Sequence, residues 1–369
     1  MTRAGAYIEA VGNLHIHTRY SDGSGTHEEI AAAAERAGLD FIITTDHNVF
    51  VPDKEGWYGR ALVLVGEEIN EPQPPRANHL LCFRIREEVR DFAGDAQALI
   101  DEVRRQGGFC FPAHPLERPS PLIGEPAFNW NHWDADGYAG ICLWNYMSEF
   151  KSYLTSVPRA LLSVFFPEAV IRGPFPEALQ KYDTLLAHGR RLRIIGGSDA
   201  HANRYSLGPI PLVVFPYERL FRTVNLHVLL RRPLSGDLLD DRDTIYEAIE
   251  AGRSFIGYHR LGNPRGFQFH ASNGTMRATY GETIETAGTV VLEAHSPLPA
   301  RLRLIRHGEI VAETRGEYLS YRTEHPGAYR LEAWRWGWGR WRGWVFTNPI
   351  FVTEEGRQAP AGTTSAALS

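Results

Sequence analysis

The chain is poor in sulfur: its 369 residues include only three cysteines and three methionines. Cys82, Cys110 and Cys142 lie in apolar runs, and no two of them form a C-x-x-C pair. This excludes a disulfide framework or a thiolate zinc site, and three core thiols are expected to stay reduced in a reducing compartment. No apolar run reaches the roughly 20 residues of a membrane-spanning helix. The opening stretch, MTRAGAYIEAVGN, has no apolar core of signal-peptide length, so a cytoplasmic location is expected. Basic charge is not in excess either: 39 Lys and Arg face 44 Asp and Glu, and 39 − 44 gives −5. Without a long basic run, neither general nucleic-acid binding nor membrane association is expected, which leaves a small molecule as the partner. The oligomeric state stays open.

What is present begins with an ordinary globular composition, 43% hydrophobic and 22% charged, at a length that fits one or two domains. The chemistry starts at NLHIHTRYSDG, residues 13–23. Leu14 and Ile16 alternate with His15 and His17, a strand period that turns both imidazoles to one face. Asp22 follows in Ser-Asp-Gly, a turn that can fold its carboxylate back beside them. Two imidazoles and a carboxylate suit a divalent ion such as zinc, manganese or iron, although an H-x-H pair also occurs as plain surface histidines.

The same arrangement recurs down the chain. Thr26 and Glu29 form a capping box for an alanine-rich helix that Gly38 ends. DFIITTDHN is a buried-strand run closing on Asp46, His47 and Asn48, and ALVLVGEEIN closes on Glu67 and Glu68. NHLLCFRI opens with His79, and a helix is expected over about Asp95 to Gln106. GFCFPAHP closes on His114, YAGICLWN on Asn145, and RLRIIGGSDAHAN on Asp199 and His201. Alternating strands and helices predict a parallel sheet or a β/α barrel, whose functional groups gather at the C-terminal strand ends. Buried polar groups are costly unless paired or metal-bound, so their clustering at one end implies cations.

Between Ser148 and Gly189 the pattern changes to helical spacing broken by Pro158, Pro167, Pro174 and Pro176. This stretch reads as a helical excursion packed on the barrel, or as a cap over the pocket. Asp243–Gly252 is expected as the helix closing the first unit. From about Arg265, short alternating runs with glycine-bearing turns predict an all-β sandwich. Trp334, Trp336, Trp338, Trp341 and Trp344 crowd one hairpin of it, as a core, as an interface between the two units or as a sugar-stacking face. The expected domains are a hydrolase barrel over 1–262, with the excursion at 148–189, a β-sandwich over 263–356, and a flexible tail over 357–369.

HIHTRYSDG, TTDHN, GEEI followed by NHLL, AHP and GGSDAH, in this order, resemble the PHP (polymerase and histidinol phosphatase) family of metal-dependent phosphoesterases. The resemblance runs from about Gly12 to Gly257. The β-sandwich, AIEAGRSF and LWN at Asn145 resemble the branch that contains carbaryl-type carbamate hydrolases. The resemblance implies a distorted (β/α)7 barrel with two or three divalent ions, Mn, Zn or Fe. By position, His15, His17, Glu68 and Asp199 resemble the ligands of a first metal, and Glu68, His79 and His114 those of a second, with Glu68 bridging. Asp22, His47 and His201 resemble the ligands of a third, although family members often carry His at the Asp22 position. The family pattern Gly-x-Glu selects Glu68. Glu67 then falls on the opposite side, as a surface carboxylate or one behind the ligands, and Asp46 is read as a partner that orients an imidazole.

The implied function is a metal-dependent hydrolase, foremost a phosphoesterase that cleaves a small phosphate mono- or diester with metal-bridging hydroxide. The alternative is a carbamate, ester or amide hydrolase using the same site, which would favour a pocket lined by aromatic groups over one lined by Arg and Lys. The candidate catalytic residues are His15, His17, Glu68, Asp199 and Arg204. Arg204 and Arg19 are read as phosphate clamps or as plain salt bridges. Asn48, Asn145 and Asn203 are read as substrate contacts or turn holders, and His132 as a leaving-group acid or a surface histidine. A purely structural metal role fits poorly, because structural sites are closed four-ligand units.

Overall fold

The computed structural model describes residues 7–207, 210–286 and 288–354, with the backbone alone for 204–207 and 210–213. Strand β1 (Ile8–Leu14) pairs in parallel with β2 (Phe41–His47), and helix α1 (His27–Ala37) connects them. Thr26 and Glu29 form the reciprocal capping box, and Gly38 ends the helix at φ 78°, where a side chain would be strained. A short strand, β3 (Gly56–Tyr58), leads into β4 (Ala61–Ile69), which is buried throughout and parallel to β2. Next comes β5 (Leu80–Phe83), then α2 (Ala96–Arg105) capped by Asp95, then β6 (Phe109–Pro112). β7 (Gly140–Asn145) and β8 (Arg193–Gly197) form a separate parallel pair. Four helices lie between them: α3 (Tyr146–Lys151), α4 (Val157–Phe165), α5 (Pro167–Val170) and α6 (Pro176–Ala187).

β7 lies against β6, and beyond β8 Ala200 bridges Ile16, just past β1. The succession β1, β2, β4, β5, β6, β7, β8 therefore returns to β1. Leu14, Ile43, Leu64, Leu81, Phe111, Ile141 and Ile195, one from each strand, belong to a single apolar core. The alternation of strand and helix is only partial. β5 runs antiparallel to both β4 and β6. Among the described residues no α-helix separates β4 from β5 or β6 from β7. The result is a mixed α/β fold built on a large sheet.

After β8 come β9 (Arg204–Leu207), β10 (Ile210–Val213) and α7 (Tyr217–Leu220), then β11 (Val224–Leu230), α8 (Leu238–Glu250) and β12 (Ser254–Tyr258). β11 pairs antiparallel with β1 and with β12. α8 begins earlier than its apolar spacing predicts, because Asp237 caps it by accepting from the Asp240 N–H.

The remainder is all β: β13 (Gln268–Ser272), β14 (Arg277–Thr279), β15 (Thr283–Thr286), β16 (Val290–Arg306), β17 (Glu309–Thr323), β18 (Gly327–Gly337), β19 (Arg340–Thr347) and β20 (Ile350–Glu354). These strands enclose a second core that includes Phe269, Leu292, Leu304, Leu331 and Trp344. The two cores are not separate sheets. β19 pairs with β12, through Phe255 with Thr347 and Ile256 with Phe346, so one sheet runs through both. The tryptophans divide. Trp344 is buried and donates to the Gly262 carbonyl, and Trp334 packs against the first core, whereas Trp336 and Trp338 stand exposed. No helix among the described residues is long and apolar enough to cross a membrane.

Candidate metal centre

The site forms where the chain leaves its strands. β1 stops at Leu14, and His15 adopts φ 68°, so the two histidines do not share a strand face as their spacing predicts. Their rings still converge, with centroids 5.1 Å apart, because the His17 N–H donates to the Ala200 carbonyl and the Ala200 N–H to the His15 carbonyl. His114 (φ 30°) and Asp199 (φ 55°) are left-handed as well, as are the neighbouring Asn48, Arg76, Asn78 and Ala202. Non-glycine residues pay for that conformation, and they retain it where a site demands it. His79 precedes the antiparallel β5, so it lies at the same pole as the C-terminal ends of β2, β4 and β6.

Glu68 is the centre of the site and fully buried. Its Oε2 is 2.8 Å from His15 Nε2, 3.1 Å from His17 Nε2 and 3.4 Å from His47 Nδ1. Its Oε1 is 2.8 Å from His79 Nδ1 and 3.4 Å from His114 Nε2. Asp199 Oδ1 stands 3.3 Å from both His15 Nε2 and His17 Nε2, and 3.5 Å from His201 Nδ1. Asp22 reaches His201 Nε2 at 3.3 Å and His17 Nδ1 at 3.5 Å.

The electrostatics follow from this packing. Burial alone would lower the histidine pKa values, but Asp199 and Glu68 reverse it, so His15 is raised and His17 reaches about 9. Burial would raise Glu68 and Asp199, yet the imidazoles, His15 foremost, hold both well below the usual carboxylate range. Asp22 is likewise lowered, by His201 against its burial. His47 is pushed down to about 3 by burial, which Glu68 opposes only in part. Glu68, Asp199 and Asp22 thus favour positive charge beside them, whereas His47 disfavours a proton of its own.

Fit to a metal is tested by the donor set. Four groups bring their ligand atoms within 4.8 Å of one another: His17, Asp22, His47 and His201; His15, His17 and Asp199; His15, Glu68 and His114; and His47, Glu68 and His79. All nine residues singled out in the sequence therefore meet in one cluster, but His15, His17 and His47 each belong to two groups, where a three-site partition assigns each of them to one. The donors are imidazole nitrogens and carboxylate oxygens, which suit zinc, manganese or iron. His17 Nε2, His47 Nδ1 and His114 Nδ1 are buried without a hydrogen bond.

Glu67 and Asp46 depart from expectation in part. Glu67 does point away from the cluster, but it is not on the surface. It is fully buried, and Oε2 accepts the Val89 N–H. Asp46 orients no imidazole; it accepts from the Thr18 N–H and Oγ1 and from Ser21 Oγ, fixing the turn that carries Asp22. His132 pairs with Glu71 at 3.2 Å outside the cavity, and Arg19 is exposed. The Arg204 side chain lies outside the described residues. Asn145 donates to Asp199 Oδ2 at 3.1 Å, while its Oδ1 caps α3 by accepting the Ser148 N–H. The Arg76 carbonyl, 2.8 Å from His79 Nε2, fixes that ring; no sequence pattern marks it, because the contact is made by backbone.

A cavity of about 810 Å³ opens over the cluster. One wall is apolar, with Phe128, Met147, Phe150, Leu154 and Val164. Arg76 and Lys151 are its described cations, and Lys151 is engaged by Glu125 at 2.6 Å and Glu117 at 3.4 Å.

No protein-family model matches the chain, and no curated protein matches it. Among solved structures it is similar to a two-domain protein from Bacteroides vulgatus containing a predicted PHP-like metal-dependent phosphoesterase. That match has 18% identity, covers 93% of this chain and 95% of the other, and has a TM-score of 0.47. A protein from Bifidobacterium adolescentis assigned as a metal-dependent phosphoesterase matches at 17% identity over 52% of this chain and 87% of its own, with a TM-score of 0.34. An amidohydrolase from Chromobacterium violaceum, with bound sulfate and no metal, matches at 15% identity over 54% and 92%, with a TM-score of 0.30.

Proposed function

We propose that this chain is a metal-dependent hydrolase, foremost a phosphoesterase acting on a small phosphate mono- or diester. The observation that carries the reading is Glu68, one buried carboxylate approached by five imidazoles from both of its oxygens. A bridging carboxylate among shared histidines is suited to adjacent ions, unlike a closed structural site. Two or three divalent ions, Mn, Zn or Fe, would be held by His15, His17, Asp22, His47, Glu68, His79, His114, Asp199 and His201. Bound there, such ions lower the pKa of water and offset charge developing on the substrate oxygens. The chain's own part is to fix the donors. Asn145 orients Asp199, the Arg76 carbonyl orients His79, and the apolar wall keeps bulk water from one side of the cavity. Arg204 is proposed as a phosphate clamp on its sequence position beside His201.

The ring of strands is proposed as a distorted (β/α)7 barrel over 1–262, of the PHP type, with 148–189 as a cap. Residues 263–356 are proposed as a β-sandwich; the tail at 357–369 lies outside the described residues. Three buried free thiols fit a reducing compartment, so the cytoplasm is the proposed location.

The second reading, a carbamate, ester or amide hydrolase, is favoured by one observation. The cavity wall is apolar and aromatic, and its Lys151 is already paired. Relation to the carbaryl-type branch belongs with this reading. Assay of metal-replete protein on phosphomonoesters, phosphodiesters and aryl carbamates separates the two. Turnover of a phosphate ester is expected, and Glu68→Gln is expected to lose it by about 10³-fold or more together with bound metal measured by mass spectrometry. Carbamate turnover with none on phosphate esters would transfer the assignment to the second reading.

A further inference from the structure

A second cavity, of about 1020 Å³, lies away from the metal cluster. It lies at the other pole of the same strands. Phe109 and Arg193 begin β6 and β8 and line this cleft, whereas His114 and Asp199 follow the far ends of those strands. At about 3.3 Å per residue the two sites are on the order of 15–20 Å apart.

Charge is the unusual property of this cleft. Eight arginines and five acidic residues line it, and 8 − 5 gives +3 in a chain whose net charge is −5. Ion pairing accounts for half of the arginines. Arg84 meets Asp243 and Glu250, Arg190 meets Asp136, Arg242 meets Glu55, and Arg253 meets Glu247. Arg191 is held by neutral groups, donating to Thr283 Oγ1 and lying over the Phe351 ring at 4.1 Å. Arg86, Arg104 and Arg193 face no carboxylate among the ion pairs of the described residues. Arg193 donates to the Arg191 carbonyl, while its Nε is buried with no hydrogen-bond partner. Glu250 of the same cleft acts on Arg193 at longer range without forming an ion pair. A guanidinium free of a direct carboxylate partner, set in a concave wall beside others, is a receptor for a planar or tetrahedral oxyanion.

We infer that this cleft binds a small anion carrying a phosphate or sulfate group, through Arg86, Arg104 and Arg193, at a site separate from the metal centre. Concavity favours a small molecule over a nucleic-acid backbone, which would need a continuous basic surface.

The probe is inorganic phosphate, titrated calorimetrically into metal-replete full-length protein at constant ionic strength, with sulfate in parallel. Arg86 is exposed and Arg104 half-buried, so the double variant Arg86→Gln/Arg104→Gln tests the cleft without touching Arg193. Phosphate is expected to bind saturably, and the double variant to lose at least tenfold in affinity while keeping its metal content. Glu68→Gln, which alters only the metal pole, is expected to keep this binding. Loss of phosphate binding in Glu68→Gln, with the arginine variant unchanged, would place the anion at the metals and overturn the inference. A double variant that lowers Tm yet binds phosphate as before would show that these arginines serve the fold alone, and absence of saturable binding would also overturn it.

Discussion

At the scale of single residues, the side chains that converge on Glu68 were legible and their supports were not. His15, His17, Glu68 and Asp199 stand in motifs whose spacing survives in one chain. Asn145 was legible as a substrate contact or a turn holder at a strand end, but not as a partner of Asp199, which lies 54 residues away. Asn145→Ala removes both a donor to Asp199 and the cap of α3. Losing such a supporting partner typically costs about 10–100-fold in metal affinity, and losing the cap about 1 kcal/mol. Metal titration and Tm should both fall. Unchanged metal affinity with a lowered Tm would reduce Asn145 to a cap. Glu149 supplies a pH test away from the ligands. Burial pushes its pKa up to about 7, against hydrogen bonds from the Arg172 and Gly173 N–H groups, Trp144 Nε1 and the Tyr153 hydroxyl. A raised carboxyl pKa means that the folded state binds the proton more tightly. This contribution is therefore full below the unfolded value of about 4.5 and is lost as pH rises through about 7. Every tenfold gain in proton affinity on folding is worth about 1.4 kcal/mol. Glu149→Gln lacks this titration, so the wild-type advantage in Tm should shrink between pH 5 and 8. A gap independent of pH would show that Glu149 is ionised throughout.

At the scale of elements, local signals located four of them: a capping box and an alanine-rich body marked α1, helical composition α2, and continuous apolar runs β2 and β4. They gave neither the end of β1 at Leu14 nor the direction of β5, since a left-handed turn and an antiparallel return leave no period of their own. The excursion at 148–189 was visible as broken helical spacing, but its contact with the cavity was not. α3 and α4 supply Met147, Phe150, Ala160 and Val164, and Leu154 lies between them. Leu154 is 8% exposed, which makes it a wall residue seated against the core. Leu154→Ala should cost about 2 kcal/mol, near the low end for such a truncation because one side already faces the cavity. It should also raise KM for an aryl ester more than for its methyl counterpart. Equal KM changes for both would remove α3 and α4 from substrate contact.

At the scale of the whole molecule, a change of texture near residue 265 marked the start of the run of β-strands from β13 onward, but nothing local marked the pairing of β12 with β19 or the place of Phe255 in the second core. Strand pairing over some 90 residues is set by packing and leaves no trace in either segment. Side chains reinforce the join. Asn348 accepts from the Ile194 N–H and donates to the Ile194 and Ser254 carbonyls, and Gly343 N–H donates to the Arg172 carbonyl. Arg330 of β18 grips Asp183 of α6 through two 2.6 Å bonds and Glu332 of its own strand through a third, all three residues being buried. Removing the shared cation would leave two buried carboxylates unpaired, and an uncompensated buried charge typically costs about 3–5 kcal/mol. Replacing a whole buried ionic group with uncharged residues of similar volume is often near neutral. Arg330→Met should therefore lower the denaturant midpoint markedly, whereas Asp183→Leu/Arg330→Met/Glu332→Gln, which removes every charge of the group, should restore most of it. Because one sheet runs through both cores, the loss should be shared. Far-ultraviolet dichroism, tryptophan fluorescence and metal release should move together through a single transition in wild type and variant alike. A second core that melts while the metal pole stays intact would mean that the β12–β19 pairing does not couple the two.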